Sequence, residues 1–513
     1  MTTAQITIPM LIVFFAVMIF VGLYCRKHST SVDGFVLGGR SVGPWLTAFA
    51  FGTSYFSAVI FVGYAGQFGW NFGLSSTWIG LGNAFIGSLL AWVVLGQRTR
   101  VMTQSLGSKT MPDFFEKRYD SGKLKIFASF IIFVFLIPYT ASLYNGLSSL
   151  FNNVFSIPYW AVVLIMAVLT GIYVIFGGYM ATAINDFIQG VIMLVGIVAV
   201  ILAVLNDNGG LSAAVKSLGE TAGKEYISTF GPNPVFLFFV VMLTSLGTWG
   251  LPQMVGKFYS IKDDGAVKKG TIISTVFAVI VAGGCYFLGG FGKLYQEEVM
   301  LTAVSENGKL MYDGIIPIML SKLPSVIIAV VIVLVLSASM STLSSLVLTS
   351  SSTLTLDVIK PKAAKKKEFT EKKSVLVMRL LIVFFIALSA VIAILKDTIW
   401  KDSAFIAQMM GVSWGALAGA FLAPFLYGLF WKKGTRAAVA SCFIFGTGIE
   451  IVQLCISMGW ISFSDKILGF VFTNSLYSGV FAMVGGLVIF PIISLLTQKS
   501  KVENVNQKFE CIK

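Results

Sequence analysis

Residues 337–352, SASMSTLSSLVLTSSS, follow directly on the apolar run VIIAVVIVLVL. On a helix, Ala338, Ser341, Thr342, Ser345 and Thr349 fall at i, i+3, i+4, i+7 and i+11, which is one face. A hydrophobic segment therefore carries a stripe of oxygens. Two chemistries fit it. The hydroxyls can bond back to carbonyls one turn earlier or let helices pack closely. Alternatively they form part of a cage for a small hard cation, which carbonyl, hydroxyl and carboxylate oxygens bind.

Ionisable groups inside apolar runs bear on the choice, because charge in hydrocarbon is costly and tends to mark ion paths and relays. Two acids read as lying in such runs: Asp186 in GGYMATAINDFIQG and Glu450 in GTGIEIVQL. Glu450 reads as a structural hydrogen-bond partner. Asp186 opens a span, where it can cap the helix and complement its dipole or face the hydroxyl stripe as a cation ligand. No Arg or Lys reads as mid-membrane, so an anionic solute group would depend on half-helix N-termini and hydroxyls.

Two other stretches read as interrupted helices. Residues 51–70, FGTSYFSAVIFVGYAGQFGW, mix glycines, hydroxyls and Gln67, and LTSLGTWGLPQMVGKFY sets Gly247, Gly250 and Pro252 in mid-span. Glycine and proline free backbone carbonyls, which is tolerated in a membrane where the break lines a cavity. The echo of FGTSYFS in LGTWGLP comes five spans later. Broken segments at matching places in successive halves point to a secondary transporter built from inverted repeats.

The elements that must position these groups are transmembrane helices. The 513 residues are 56% hydrophobic and 12% charged, with a mean hydropathy of +0.86; soluble proteins carry roughly 25% charged residues. An all-α polytopic membrane protein follows. A crossing needs about 20 apolar residues, which gives about thirteen segments. They lie near 7–25, 44–68, 73–96, 126–151, 158–180, 185–205, 234–256, 270–292, 316–353, 375–395, 402–431, 435–459 and 467–497. Short loops join them into one domain.

The first segment lacks a positive leader and a small-residue cleavage site, so it reads as a retained helix. The five cysteines are scattered and imply neither a disulfide framework nor a metal site. The net charge of +14 is not a nucleic-acid signature. Roughly 28 of the 37 Lys and Arg fall in alternate loops, against about 8 in the others. That bias predicts a cell-membrane protein with its N-terminus outside and its C-terminus cytoplasmic, and makes the lysine run 365–367 a topology determinant. No Cys/His pair or phosphate loop suggests an enzyme, and the serine band has no nearby base.

At this point the chain resembles the sodium/solute symporter family over nearly its whole length. GTSYFSAVIFVGYAGQ, TMPDFFEKRY, IYVIFGGYMATAINDFIQG, GLPQMVGKFYSIKDDGAVKKG and SASMSTLSS carry the likeness in order. The resemblance implies a leucine-transporter-type fold: a leading helix at 7–25, five-helix inverted repeats at 44–205 and 234–431, two trailing helices within 435–497, and a tail at 498–513. It also implies that Na+ is the coupling ion. The implied ligands are the carbonyls of Thr53, Phe56 and Ala338 with the hydroxyls of Ser341 and Thr342. A second Na+ site, present in some members, maps onto Asp186, Ser341, Ser344 and Ser345, which would allow two ions per solute.

The implied solute site is lined by Ser57, Ile60, Gln67, Thr248, Trp249 and Gln408. Its occupant would be a small organic solute, a carboxylate or an amino-acid-like molecule such as pantothenate, proline or a monocarboxylate, imported by alternating access. Proline carriers of the family carry tryptophan at the positions of Val59 and Thr244, tyrosine at Thr248 and aspartate at Tyr55, and the chain looks at least as similar to pantothenate carriers. Two alternatives remain open. One is proton coupling on the same fold, with Asp186 titrating; the other is a membrane solute sensor, although no soluble signalling module follows the last span. No obligate protein partner is evident.

Overall fold

The computed structural model describes residues 2–155, 157–304, 308, 310–364, 369–399, 405–463, 465–500 and 502–512. The lysine run 365–367 and the start of the expected span at 402 lie outside the described residues. Among the described residues there is no strand, only two isolated bridges.

The principal helices, in chain order, are α1 (Thr3–Tyr24), α2 (Pro44–Tyr55), the helical stretch α3 (Val59–Ser105), α4 (Met111–Tyr119), α5 (Gly122–Phe155), α6 (Tyr159–Asp207), α7 (Pro234–Leu246) and α8 (Pro252–Tyr259). There follow the stretch α9 (Asp264–Thr302), then α10 (Ser325–Thr353), α11 (Glu371–Ile399), α12 (Phe405–Phe430), α13 (Arg436–Ser457) and α14 (Ser475–Leu496). Among the described residues ten stretches are long and apolar enough to cross a membrane, and a bent pair, Pro234–Gly250 with Pro252–Tyr259, makes an eleventh. Two of the ten, 47 and 49 residues long, exceed the roughly 20 residues of one crossing. Each takes in two of the segments expected from sequence, and each contains a left-handed glycine.

In α6 that glycine is Gly178, at φ 55° and ψ −149°. A side chain there would be strained by the backbone, and its Cβ would lie 2.9 Å from Phe35. Elsewhere glycine serves close approach. A Cβ on Gly69 would fall 1.9 Å from the Gly289 carbonyl oxygen, and one on Gly289 would fall 2.1 Å from that of Ala65. The two backbones touch, in the manner of membrane helices joined by small residues. Gly289→Ala is expected to cost about 1–3 kcal/mol by overpacking, read as a lower melting temperature and reduced monodisperse yield in detergent.

Burial decides which helices are central. In their most apolar windows α10 is 78% and α12 is 89% buried, against 22% for α1. Helix α10 packs on α1, α2, α5, α6 and α11, while α13 and α14 pack on α12. Glu450 of α13 accepts a hydrogen bond from Ser478 of α14 at 2.9 Å, the structural role expected of it.

One end of the bundle is fastened by polar contacts. Thr110 caps α4 through the Asp113 amide and donates to Asp357 at 2.6 Å. Lys125 reaches Asp113, Glu116 and Asp357 at 3.0, 2.8 and 3.5 Å. Burial opposes the charge of Asp113, yet Lys125 and Lys117 hold its carboxyl below the usual range. Among the described residues Asp113, 7% exposed, and Asp357, 2% exposed, are buried acids beyond the two expected from sequence. The helix runs on past Thr353 to Ala364, so a residue read as loop is enclosed.

Candidate functional site: an ion cage between a broken helix and the serine-rich helix

Helix α2 starts on Pro44 and stops at Tyr55; Phe56, at φ −98° and ψ 89°, leaves the helical path. The Ile60 amide, which an unbroken helix would give to the Phe56 carbonyl, goes to Ser57 instead. The break therefore releases carbonyls of 53–56 toward the neighbouring helix α10.

What meets them is the hydroxyl stripe. Ser341 and Thr342 each donate toward the Thr53 carbonyl at 3.1 Å and toward the Ala338 carbonyl at 3.2 and 3.1 Å. All four residues are buried. Four of the five expected ligand oxygens thus converge, and Phe56 adjoins them at the break. A hard cation holding oxygens at about 2.4 Å spaces adjacent ligands about 3.4 Å apart, so expansion by a few tenths of an ångström would admit one. The donor set, carbonyls and hydroxyls without sulfur or imidazole, suits Na+.

The residues of the expected second site are also neighbours, but a cation is already among them. Lys257 of α8 places its ammonium 2.9 Å from Ser345 Oγ and 3.5 Å from Asp186 Oδ2. Ser345 Oγ lies 2.7 Å from Ser54 Oγ, while Ser344 turns back to the Ser341 carbonyl at 2.8 Å. The Asp186 and Lys257 side chains are 0% and 5% exposed. Lys257, expected in a loop, is instead buried in the last turn of its helix beside the expected second site. Lys257 was read as loop because GKFYSIKDDG is polar, but Pro252 starts α8 as the inner half of a span bent by 46°, and the lysine rides inward on it.

The two breaks meet. Tyr55 donates to the Thr244 carbonyl and lies beside Thr248 and Ser245. Thr248 donates to Ser245 O at 2.8 Å, and Trp249 to Ile86 O at 3.0 Å. The 3-10 turn Gly247–Gly250 packs on α12. Ser57 adjoins Tyr139 of α5, which sits beside Trp414 of α12 with ring centroids 6.1 Å apart. Ser57 Oγ, Tyr139 Oη and Trp414 Nε1 are buried without hydrogen-bond partners. Buried polar atoms are rarely left so, and these three adjoin one another.

Of the expected solute-site residues, Ser57, Thr248 and Trp249 gather around these breaks, with Ile60 buried on the turn after the first. Gln67 lies on the helical stretch beyond the break, after the turn Val59–Tyr64. Gln408 lies six residues, about 9 Å, before Trp414 on α12. Sequence reasoning missed Tyr139 and Trp414, because an aromatic in an apolar run gives no sign that its polar atom is unpaired. A narrow cavity runs from Lys257 and Ser345 past Tyr179 and Gln253 to Lys109 and Thr110, giving this region a route to one end of the bundle.

An all-helical bundle with two discontinuous helices meeting beside a central hydroxyl-bearing helix defines a secondary transporter of the leucine-transporter type. The model of the sodium:solute symporter family matches residues 35–446. The chain belongs to that family: it is a sodium-coupled carrier of a small organic solute and not an enzyme. It is 30% identical over 511 residues to a sodium/proline symporter of Staphylococcus aureus strain JH9, covering 96% of this chain and 93% of the relative. To sodium/proline symporter 2 of Staphylococcus saprophyticus it is 30% identical over 455 residues, covering 87% and 86%. Its fold is similar to that of a Na+-coupled sialic acid symporter solved substrate-bound and outward-open, with TM-score 0.74, 17% identity and 96% and 98% of the two chains covered.

Proposed function

We propose that the chain imports a small amino-acid-like or carboxylate solute together with sodium, the ion lying among Thr53, Phe56, Ala338, Ser341 and Thr342 and the solute between the two breaks and α12. The convergence of the Ser341 and Thr342 hydroxyls on the Thr53 and Ala338 carbonyls carries this reading. The curated relatives are sodium/proline symporters, so proline is the first solute to test. The orphaned Ser57, Tyr139 and Trp414 groups supply both donors and acceptors for a zwitterion or carboxylate, and the aromatic rings supply apolar walls. With the positive loops inside, the cavity ending at Lys109 and Thr110 opens to the cytoplasm and serves release.

Coupling follows from the break. Without the ion, residues 53–57 and α10 are joined by hydroxyl-to-carbonyl bonds and by the Ser54–Ser345 hydroxyl pair. Sodium draws those oxygens onto one centre and fixes the break, so the adjoining solute surface is ordered before the solute arrives. That lowers the ordering cost of the second ligand, and by reciprocity the solute tightens sodium. The membrane potential adds about 2.3 kcal/mol per charge per 100 mV to inward movement.

The test is uptake in proteoliposomes of radiolabelled proline, pantothenate, short monocarboxylates and a hexose, with and without an inward sodium gradient. Sodium-driven accumulation of proline or another of the first three supports the proposal. Accumulation of the hexose alone would overturn the solute class, and uptake following a pH gradient without sodium would overturn the ion assignment. For the accepted solute, Ser57→Ala is expected to raise KM about 5–10-fold with kcat little changed, the loss of one hydrogen bond worth about 1 kcal/mol.

A further inference from the structure

Lys257 is a charged feature of the site that the hydroxyl pattern does not anticipate. Its ammonium lies between two of the four residues that a second ion would need: 2.9 Å from Ser345 Oγ and 3.5 Å from the Asp186 carboxylate, with Ser54 joined through Ser345 at 2.7 Å. The stem crosses the Tyr179 ring, with Nζ 5.4 Å from its centroid. Tyr179 is itself fixed by a hydrogen bond from Ser260 at 2.6 Å, next to the end of α8. Asp186 Oδ1 has no hydrogen-bond partner, so the carboxylate's charge is answered by Lys257 alone.

We infer that the Lys257 ammonium is a tethered cation that takes the place of a second sodium ion, so that the carrier binds and moves one sodium per solute. The inference rests on the sodium-cage reading above and sharpens it. A buried carboxylate needs a positive partner, and a lysine and a sodium ion are alternative ways to supply one unit of charge to the same oxygens. They are not additive, because a second cation beside the ammonium would face a like charge at contact distance with a single carboxylate between them. The two also differ in what they can do in a transport cycle. A free ion leaves when the site opens, whereas Lys257 is covalently held on α8 and stays with the protein. The ammonium thus positions Ser345 and Asp186 in every state, linking both broken helices through Ser54 and α8, and contributes no ion to the stoichiometry.

The remaining oxygens are consistent with this. Ser341, shared between the two expected sites, points at the Thr53 and Ala338 carbonyls of the first. Ser344 spends its hydroxyl inside its own helix. Of the second set only Ser345 remains to accompany Asp186, and its hydroxyl is bonded to Lys257.

The experiment is equilibrium binding of 22Na+ to purified protein in nanodiscs, counted per folded carrier, for wild type, Lys257→Met and the Asp186→Asn/Lys257→Met pair. One ion at saturation in wild type, two in Lys257→Met and one in the pair is the expected pattern. Two ions in wild type would overturn the inference while leaving sodium coupling intact, and one ion in both wild type and a folded Lys257→Met would overturn it too. No ion in wild type would instead overturn the sodium cage on which the inference stands. If Lys257→Met does not fold, the wild-type count and the charge-neutral pair decide: one ion in each supports the inference, and two in wild type refutes it.

Discussion

Replacing Ser341 and Thr342 together by alanine is expected to raise the sodium concentration for half-maximal uptake at least tenfold, with the carrier still folded. Each hydroxyl lies within 3.2 Å of two carbonyls at the break. In the ion-bound state each would turn its oxygen to the ion instead. A hydrogen-bonding group that serves a charge is worth about 1.5–3 kcal/mol, which is about 10–150-fold in affinity for each one lost. The folded state loses less, because alanine leaves no charge unpaired and the hydroxyls now bond neutral carbonyls at about 1 kcal/mol each. Uptake measured against sodium concentration at fixed solute reads the shift. Ser344→Ala is the matched control, since that hydroxyl returns to the Ser341 carbonyl at 2.8 Å, and its sodium dependence is expected to match wild type. Equal shifts in both variants would mean that general damage to α10, and not loss of ligands, is responsible.

The second large effect belongs to the buried ion pair, and it is asymmetric. Asp186→Asn leaves the Lys257 ammonium in a site where its side chain is 5% exposed, and breaking a buried pair from one side costs about 3–5 kcal/mol. Sodium cannot relieve a stranded cation, so the loss of thermal stability is expected to be the same in sodium and in potassium. Lys257→Met strands the carboxylate instead, which sodium can neutralise. Its melting temperature is then expected to rise with sodium more steeply than that of wild type, as a second RT ln(1 + [Na+]/Kd) adds to stability. Removing both charges is expected to recover most of the stability, since replacing a buried pair by apolar or neutral groups is often neutral. Thermal denaturation of the three variants across a sodium titration distinguishes the cases. A sodium-dependent rescue of Asp186→Asn would contradict the pairing.

The cage was legible because helical periodicity is a strong constraint. Once residues 337–352 are helical, Ala338, Ser341 and Thr342 must share a face, and glycine, proline and hydroxyls in mid-span mark where a partner helix opens. The broken helices were legible for the same reason. Lys257 and Asp357 were not, since both sit at the ends of apolar runs where hydropathy falls, and only the packing of α8 and the continuation of α10 reveal them as buried. Tyr139 and Trp414 come from helices distant in sequence, and their unpaired polar atoms are a property of the assembled site alone.

That sodium binds by tying the break in α2 to α10 can be read directly from backbone hydrogen exchange of the reconstituted carrier, compared in sodium and in potassium. Sodium is expected to slow exchange in peptides covering residues 53–58 and 338–345 together, with neither change in the Ser341→Ala/Thr342→Ala protein. Protection of one segment without the other, or equal protection in potassium, would contradict an ion shared between the two helices.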